Sequence, residues 1–408
     1  MTGMTDMNYN AFFNSLGLET PPECFEGTFL RALEEYRKDG VFFLSSEYIE
    51  YVNSFESCIS NCIDDVKRAA KKILQREALA VYALFLYRAM LQRKTFMEHI
   101  KEFEFPEGSE AELDFLPFAV IITAIPELYQ NLKKRGVQQD IIAQTLRQFE
   151  DCVYLTEERT GRPGFLKRYF VHMQKYVDEK ILNIGRLRFE MVPELESNVS
   201  VLENRNGELA VLFDGARINS AGMLLGTPPA CENAKSTYAT VVETEDGFLG
   251  RGVDCMGNCK EEPSEYPKGE WHLLLKKGDP ILSVHITNKG ALTKEACEES
   301  YQRACEVFGN CYPEFGYKAF HCHSWMLDPQ LGEFLSENSN ILAFQKKYTR
   351  YAGETKGKDV LNFVFKMQSG EYRDLPEDTS LQRALKKLYL DGKYIYEYEG
   401  VFVYRSED

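Results

Sequence analysis

The sequence predicts an α+β protein, with an all-helical N-terminal domain over residues 1–160 and an α/β domain over residues 161–408. The second domain is expected to carry a mixed, mostly antiparallel sheet with one central parallel β-helix-β unit. Three observations lead there. Apolar residues recur at three- and four-residue spacing through the first part, the mark of helices that bury one face. Beyond Thr160-Gly161-Arg162-Pro163-Gly164 and one more helix, the period switches to two, with turn sequences between the runs. Helical period then returns over 293–308, between two short apolar runs that read as strands.

In chain order, the helical pattern begins at Leu30, Leu33, Tyr36 and Arg37 and continues through Ile63 to Ala78, Ala80 to Leu91 and Ile141 to Val153. Pro106-Glu107-Gly108-Ser109 marks a loop before a helix starting near Ala111, and Pro117 and Pro126 are expected to kink or break the apolar stretch that follows. A bundle with short connections accommodates these segments. After a helix over Phe165 to Val177, alternation appears in Arg186 to Val192, Leu209 to Phe213 and Tyr238 to Glu243. Asn204-Arg205-Asn206-Gly207 and Glu245-Asp246-Gly247 are hairpin turns between such runs. Strands are expected at Trp271 to Leu275, Ile281 to Thr287 and Tyr317 to His323, and Tyr394 to Tyr404 reads as a terminal strand. Cys297, Tyr301, Ala304, Cys305 and Phe308 form the buried stripe of the intervening helix, with Thr293 as its N-cap. Thr379-Ser380-Leu381-Gln382 is a capping box for a helix that stops at Gly392.

Bulk composition narrows the function classes. Forty-eight basic against 63 acidic residues leave a formal net charge of −15, which argues against a nucleic-acid or anionic-membrane surface. The first residues, Met1 to Met7, lack the positive flank and apolar run of a signal peptide, and the apolar run Ala78 to Tyr87 is too short to span a bilayer. Eleven scattered cysteines, an odd number, read as reduced thiols, and the expected location is cytoplasmic.

The β-helix-β unit is where chemistry is expected, because ligands of open α/β sheets sit at the carboxyl ends of the strands. The loop Asn288 to Thr293 lies at that end and delivers a helix N-terminus suited to an anion. Alternation puts Ser283, His285 and Thr287 on one face of the first strand, with Leu282, Val284 and Ile286 on the other. In the second strand His321 and His323 share a face, opposite Phe320 and Cys322, so three imidazoles are expected to gather at the strand ends. Cys322 is a formal candidate nucleophile, but its neighbouring histidines point the other way and a core thiol is expected. Cys255-Met256-Gly257-Asn258-Cys259 with His321 and His323 is permissive for zinc, yet no second CxxC pair completes a set and no metal is expected. Asp254, Glu261, Glu262, Glu265 and Glu270 form an acidic neighbourhood, either a solvated loop or an attraction for a cationic amine.

Specific stretches carry a resemblance: His285-Ile286, Gly290 to Cys297, Cys322 to Leu331, Ser339 to Gln345, Leu375-Pro376 and Thr379 to Arg383. Together they resemble a bacterial acyltransferase family in which a helical N-acyltransferase domain precedes a GNAT-like C-terminal domain. The resemblance implies an N-acyltransferase that uses acetyl-CoA or another acyl-CoA as co-substrate and a small-molecule or peptide amine as acceptor. It places the pyrophosphate at Lys289, Gly290, Ala291, Leu292, Thr293 and Lys294, and the thioester carbonyl against backbone N–H groups around Val284 and Ile286. His285 is then the first candidate base and His323 the second, with Ser324 or a nearby tyrosine protonating the thiolate. The family's usual loop, Arg/Gln-x-x-Gly-x-Gly/Ala, is reduced here to Asn288-Lys289-Gly290-Ala291. That departure supports an alternative, a non-catalytic GNAT-like protein that binds a ligand or a protein partner.

Overall fold

The computed structural model describes residues 8–106, 111–227, 236–287, 289–355, 357, 359–367 and 370–405. It divides into two compact units, Met1–Leu182 and Asn183–Asp408.

The first unit is helical: α1 (Tyr9–Ser15), α2 (Glu26–Asp39), α3 (Ser46–Asn53), α4 (Ile63–Leu74), α5 (Glu77–Met90), α6 (Arg93–His99), α7 (Ala111–Ile121), α8 (Ile125–Lys134), α9 (Gln139–Thr160) and α10 (Lys167–Val177). Helix α5 is apolar all round, with ten of its 14 residues buried, so it forms the centre of the unit. Its Phe85 meets Phe13 edge-on, and Phe12, Phe29 and Tyr9 join that cluster in edge and tilted ring contacts. On α2 the buried stripe is Thr28, Phe29, Ala32 and Leu33, while Leu30, expected inside, is 50% exposed.

Two sequence boundaries shift. The expected domain break at 160 is an interhelix turn, because α10 packs Tyr169, Phe170, Met173 and Tyr176 back onto the helical unit. The unit boundary lies after Leu182, inside the first strand. Pro117 does not break its helix but sits within α7; the interruption is a 3₁₀ turn at Ile122–Ala124, and Pro126 falls in the first turn of α8, where its missing N–H goes unneeded. The loop expected at Pro106 to Ser109 lies outside the described residues after Pro106. The apolar stretch Leu113–Lys134 is long enough to cross a membrane by length and composition, but 61% of its window is buried within the protein, as in a core helix.

The second unit is built on a six-stranded sheet in the order β1-β2-β11-β12-β14-β13 and a second sheet in the order β10-β3-β4-β8-β7, with β9 paired to β8. Their ranges are β1 (Ile181–Ile184), β2 (Leu187–Val192), β3 (Val199–Asn204), β4 (Leu209–Phe213), β7 (Val242–Glu243), β8 (Gly247–Gly252), β9 (Ser264–Pro267), β10 (Trp271–Lys276), β11 (Ile281–Ile286), β12 (Phe320–Ser324), β13 (Thr349–Ala352) and β14 (Tyr398–Phe402). A two-stranded ribbon joins β5 (Ala216–Asn219) to β6 (Ser236–Ala239). Strands β11 and β12 pair in parallel, and the helix between them is α11 (Lys294–Cys311). The expected mixed, mostly antiparallel sheet with one parallel unit is therefore present. Short helices α12 (Asn340–Gln345) and α13 (Asp359–Phe363) precede α14 (Ser380–Leu390), whose predicted capping box forms in both directions.

Helix α11 covers one face of the six-stranded sheet. Thr293 caps it by accepting the Ala296 N–H at 3.2 Å. Tyr301 and Phe308 meet Phe189 and Tyr301 meets Phe320 and Phe402, so the middle of the sheet is anchored by rings. Each such pair is worth about 0.5–1.5 kcal/mol beyond burial, comparable to or above the net ~1 kcal/mol of a ladder hydrogen bond. Interrupted pairing at the strand ends is affordable beside that core.

Candidate active site

The β11–β12 ladder is short. It pairs Leu282 with Phe320 and Ser283 with His321, and ends there. Strand β11 nevertheless stays paired with β2 out to Ile286↔Leu187, and β12 with β14 out to Ser324↔Tyr398. Each strand follows its outer neighbour, so the central pair parts at its carboxyl end. The Leu282 N–H donates to the Ala319 carbonyl at 3.1 Å, which puts the amides of Leu282, Val284 and Ile286 on the edge facing β12. Pairing Ser283 with His321 in a parallel ladder uses the Val284 N–H. Of the two amides expected to meet a thioester, Val284 thus belongs to the ladder and Ile286 lies beyond it.

Alternation divides the side chains as expected. Phe320 and Cys322 face α11, and the three histidines face the other side. The imidazoles are engaged separately, however, rather than gathered. His285 Nε2 lies 2.9 Å from Glu190 Oε2, His321 Nε2 lies 2.8 Å from Glu399 Oε2, and His323 Nε2 lies 3.1 Å from the Glu354 carbonyl. An ionised carboxylate or a carbonyl can only accept, so each Nε2 carries the proton and each neutral ring keeps Nδ1 as its basic atom. Exposure then separates them: the side chains of His285 and His323 are 41% and 38% accessible, that of His321 only 8%.

His321 belongs to a buried network. Glu399 Oε2 also accepts from the Tyr351 hydroxyl at 3.0 Å and from the Ser197 hydroxyl. Burial pushes the Glu399 carboxyl up, but the hydrogen bond and charge of His321, the charge of His323 and the Ser197 hydrogen bond together outweigh it and hold the pKa at about 2.

Ser324 shares the face of Cys322, opposite His323, and its Oγ accepts the Met326 N–H at 3.1 Å to cap a 3₁₀ turn. Cys322 is 1% exposed, and burial drives its thiol well above the ordinary range, which withholds the thiolate a nucleophile needs. Under native conditions Cys322 is expected to resist iodoacetamide while exposed Cys24 and Cys255 react; mass mapping that found Cys322 alkylated as fast as Cys255 would contradict this burial. Among the described residues no group of three or more His, Cys, Asp and Glu side chains is arranged to hold a metal ion.

The segment after Ser324 proves architectural. Asp328 accepts the Gln330 N–H at 2.8 Å and the Tyr396 N–H at 2.7 Å, and the Gln345 amide donates to the carbonyls of Met326 and Asp328 at 2.8 and 2.9 Å. Trp325 and Leu331 enter a core cluster with Leu375, Leu385 and Ile395. Burial raises the Asp328 carboxyl to about 6 despite these hydrogen bonds and nearby Arg350.

In the expected cofactor loop, Asn288 lies outside the described residues. Lys289, Gly290, Ala291 and Lys294 are exposed, Leu292 is buried and Thr293 is the cap. Gly290 has φ +69°, a left-handed conformation suited to glycine at this turn.

A family model described as the GNAT-like C-terminal domain matches residues 181–402. The chain belongs to this family. A second model, the N-acyltransferase N-terminal domain, matches residues 59–169, so the two matches fall on the two units. Solved structures share the fold of this family member. One is an acyltransferase mutant in complex with octanoyl-CoA, 18% identical, with TM-score 0.59 over 98% of this chain and 100% of that one. Another is an acyltransferase in complex with decanoyl-CoA and teicoplanin, 19% identical, with TM-score 0.60 over 97% and 99%. A third, with CoA and 10C-teicoplanin, is 18% identical with TM-score 0.60 over 97% and 99%. No curated protein sequence matches the chain.

Sequence reasoning missed the carboxylates that hold the imidazoles. Glu190 left a trace: Arg188 and Glu190 alternate with Leu187, Phe189 and Met191, a charged face inside an apolar strand. Glu399 left none that singled it out, because it reaches His321 only through the β12–β14 register.

Proposed function

We propose that this protein transfers an acyl group from acyl-CoA to an amine of a small-molecule acceptor. The observation that carries the reading is the parted β11–β12 pair with an oriented, accessible His285 on its rim. The similar structures bound to octanoyl-CoA, decanoyl-CoA and CoA, two of them with teicoplanin or 10C-teicoplanin, support an acyl-CoA donor and a small-molecule acceptor here.

In this reading the acceptor amine attacks the thioester carbonyl carbon, the C–N bond forms, and the C–S bond breaks. His285 Nδ1 takes the amine proton, with Glu190 holding Nε2–H and stabilising the imidazolium. The Ile286 N–H receives the developing oxyanion. Ser324 serves the departing thiolate from the α11 face, which keeps the proton donor and the base on opposite sides of the gap. His323 is the second candidate base. Residues Lys289 to Lys294 take the carrier's pyrophosphate, and the domain boundary that matters for a truncated enzyme is the one after Leu182.

Thermal denaturation with acetyl-CoA, decanoyl-CoA and free CoA tests the donor. Stabilisation should rise with the logarithm of ligand concentration, by about 2.7 kcal/mol at 100 times Kd. No change with any of the three would favour the non-catalytic alternative.

A further inference from the structure

The departure of the β11–α11 loop from its family's phosphate pattern leaves that loop without the arginine or glutamine with which the pattern begins. An arginine reaches it from elsewhere. Arg186 lies on the turn between β1 and β2, yet its Nη1 donates to Thr287 Oγ1 at 2.9 Å and its Nε to the Ala291 carbonyl at 3.2 Å. Its own backbone is held on both sides: the Arg186 N–H donates to Ser300 Oγ at 2.8 Å, and Thr287 Oγ1 donates to the Arg186 carbonyl at 3.3 Å. Through its side chain Arg186 therefore ties the exit of β11 to the loop, and through its backbone N–H it is tied to α11.

These partners are all neutral. Among the described residues no carboxylate pairs with the guanidinium, although it is half-buried, and burial pulls its pKa below the ordinary value. A desolvated cation without a counter-charge is unfavourable unless something anionic arrives. Lys289 and Lys294 add positive charge at the same loop, against Glu295 in the first helical turn. A guanidinium also keeps donors for a phosphate oxygen after making two hydrogen bonds, since it has five.

We infer that Arg186 is the positioning and specificity residue that makes this loop select a pyrophosphate-bearing acyl carrier. The inference rests on the acyl-CoA reading and specifies which part of the carrier is read. Arg186 holds the loop in shape with two of its donors and supplies the guanidinium that the loop itself lacks.

Calorimetric titration of the full chain with decanoyl-CoA and with S-decanoyl-pantetheine, which has the same thioester but no pyrophosphate, tests it. The wild-type protein should bind decanoyl-CoA more tightly. In R186Q the decanoyl-CoA Kd should rise by about 10- to 100-fold, the loss of a charged hydrogen bond, with the pantetheine Kd within about twofold. R186K, which keeps the charge without the fork, should recover part of the loss and serves as the readout should R186Q fail to fold. Equal weakening of both carriers in R186Q would make Arg186 merely structural and overturn the assignment. So would unchanged binding of both, or an R186K that binds decanoyl-CoA as the wild type does. A wild-type protein that binds neither carrier overturns the acyl-CoA reading itself, a result distinct from the others.

Discussion

Replacing Glu399 with alanine should lower the unfolding free energy of the C-terminal unit by about 3–5 kcal/mol, the usual result of removing one partner from a buried ion pair. Glu399 is 7% exposed, and its carboxylate accepts from His321, Tyr351 and Ser197. Removing it strands the buried His321 and Tyr351 donors together with the half-buried Ser197 hydroxyl. For a unit of this size the melting temperature should fall by roughly 6–20 °C. A variant that melts within about 2 °C of the wild type would show that the network contributes little.

The same group predicts an acid dependence. Its folded pKa, about 2, lies below its ordinary value of 4.5, so the unfolded chain binds more protons in between. The stabilisation is complete above the unfolded value and is lost as pH falls through the folded one. The gap in stability between wild type and E399A should therefore narrow from about pH 5 towards pH 2. Asp328 works in the opposite sense. Its folded pKa is raised, to about 6, so its ionisation destabilises the fold as pH rises from the ordinary carboxylate value through 6. The wild-type and E399A comparison isolates Glu399, because Asp328 is common to both.

His285→Gln should reduce acyl transfer by about 10²- to 10⁴-fold, the range for loss of a general base, with little effect on folding. The side chain is 41% accessible and its one hydrogen-bond partner among the described residues is Glu190, so its removal leaves no cavity in the core. Rates followed as thiol release from acyl-CoA in the presence of an amine acceptor give the measurement. His323→Gln is the companion experiment. If both variants transferred at the wild-type rate, neither histidine would be the base. Full loss in H323Q alone would move the role to the imidazole held by the Glu354 carbonyl.

Much of this architecture could be read from the chain. Thr293 and the Thr379–Gln382 box are local capping signals, and both formed because their hydrogen bonds span only three residues. Alternation in Ile281 to Thr287 and Phe320 to His323 assigned the faces correctly, and with them the buried state of Cys322. Local rules failed where a distant surface decided the outcome. Pro163 and its flanking glycines suggested a domain break, but α10 buries its apolar face on the helices before it. Strands β1 and β13 escaped notice because each has only four residues, too few for a period to register.

The sequence by itself determined the fold class, the place of the parallel strand pair and the family, since these depend on periodicity, caps and contiguous motifs. Only the tertiary structure decided what the site residues do. It separated the three histidines by giving each its own oxygen, turned Trp325 to Leu331 into a core clamp, and brought Arg186 to a loop about 100 residues away, spanned by Arg186 and Ala291. Such partners meet across strand registers and turns, and no local pattern in a chain encodes a contact between residues that only packing brings together.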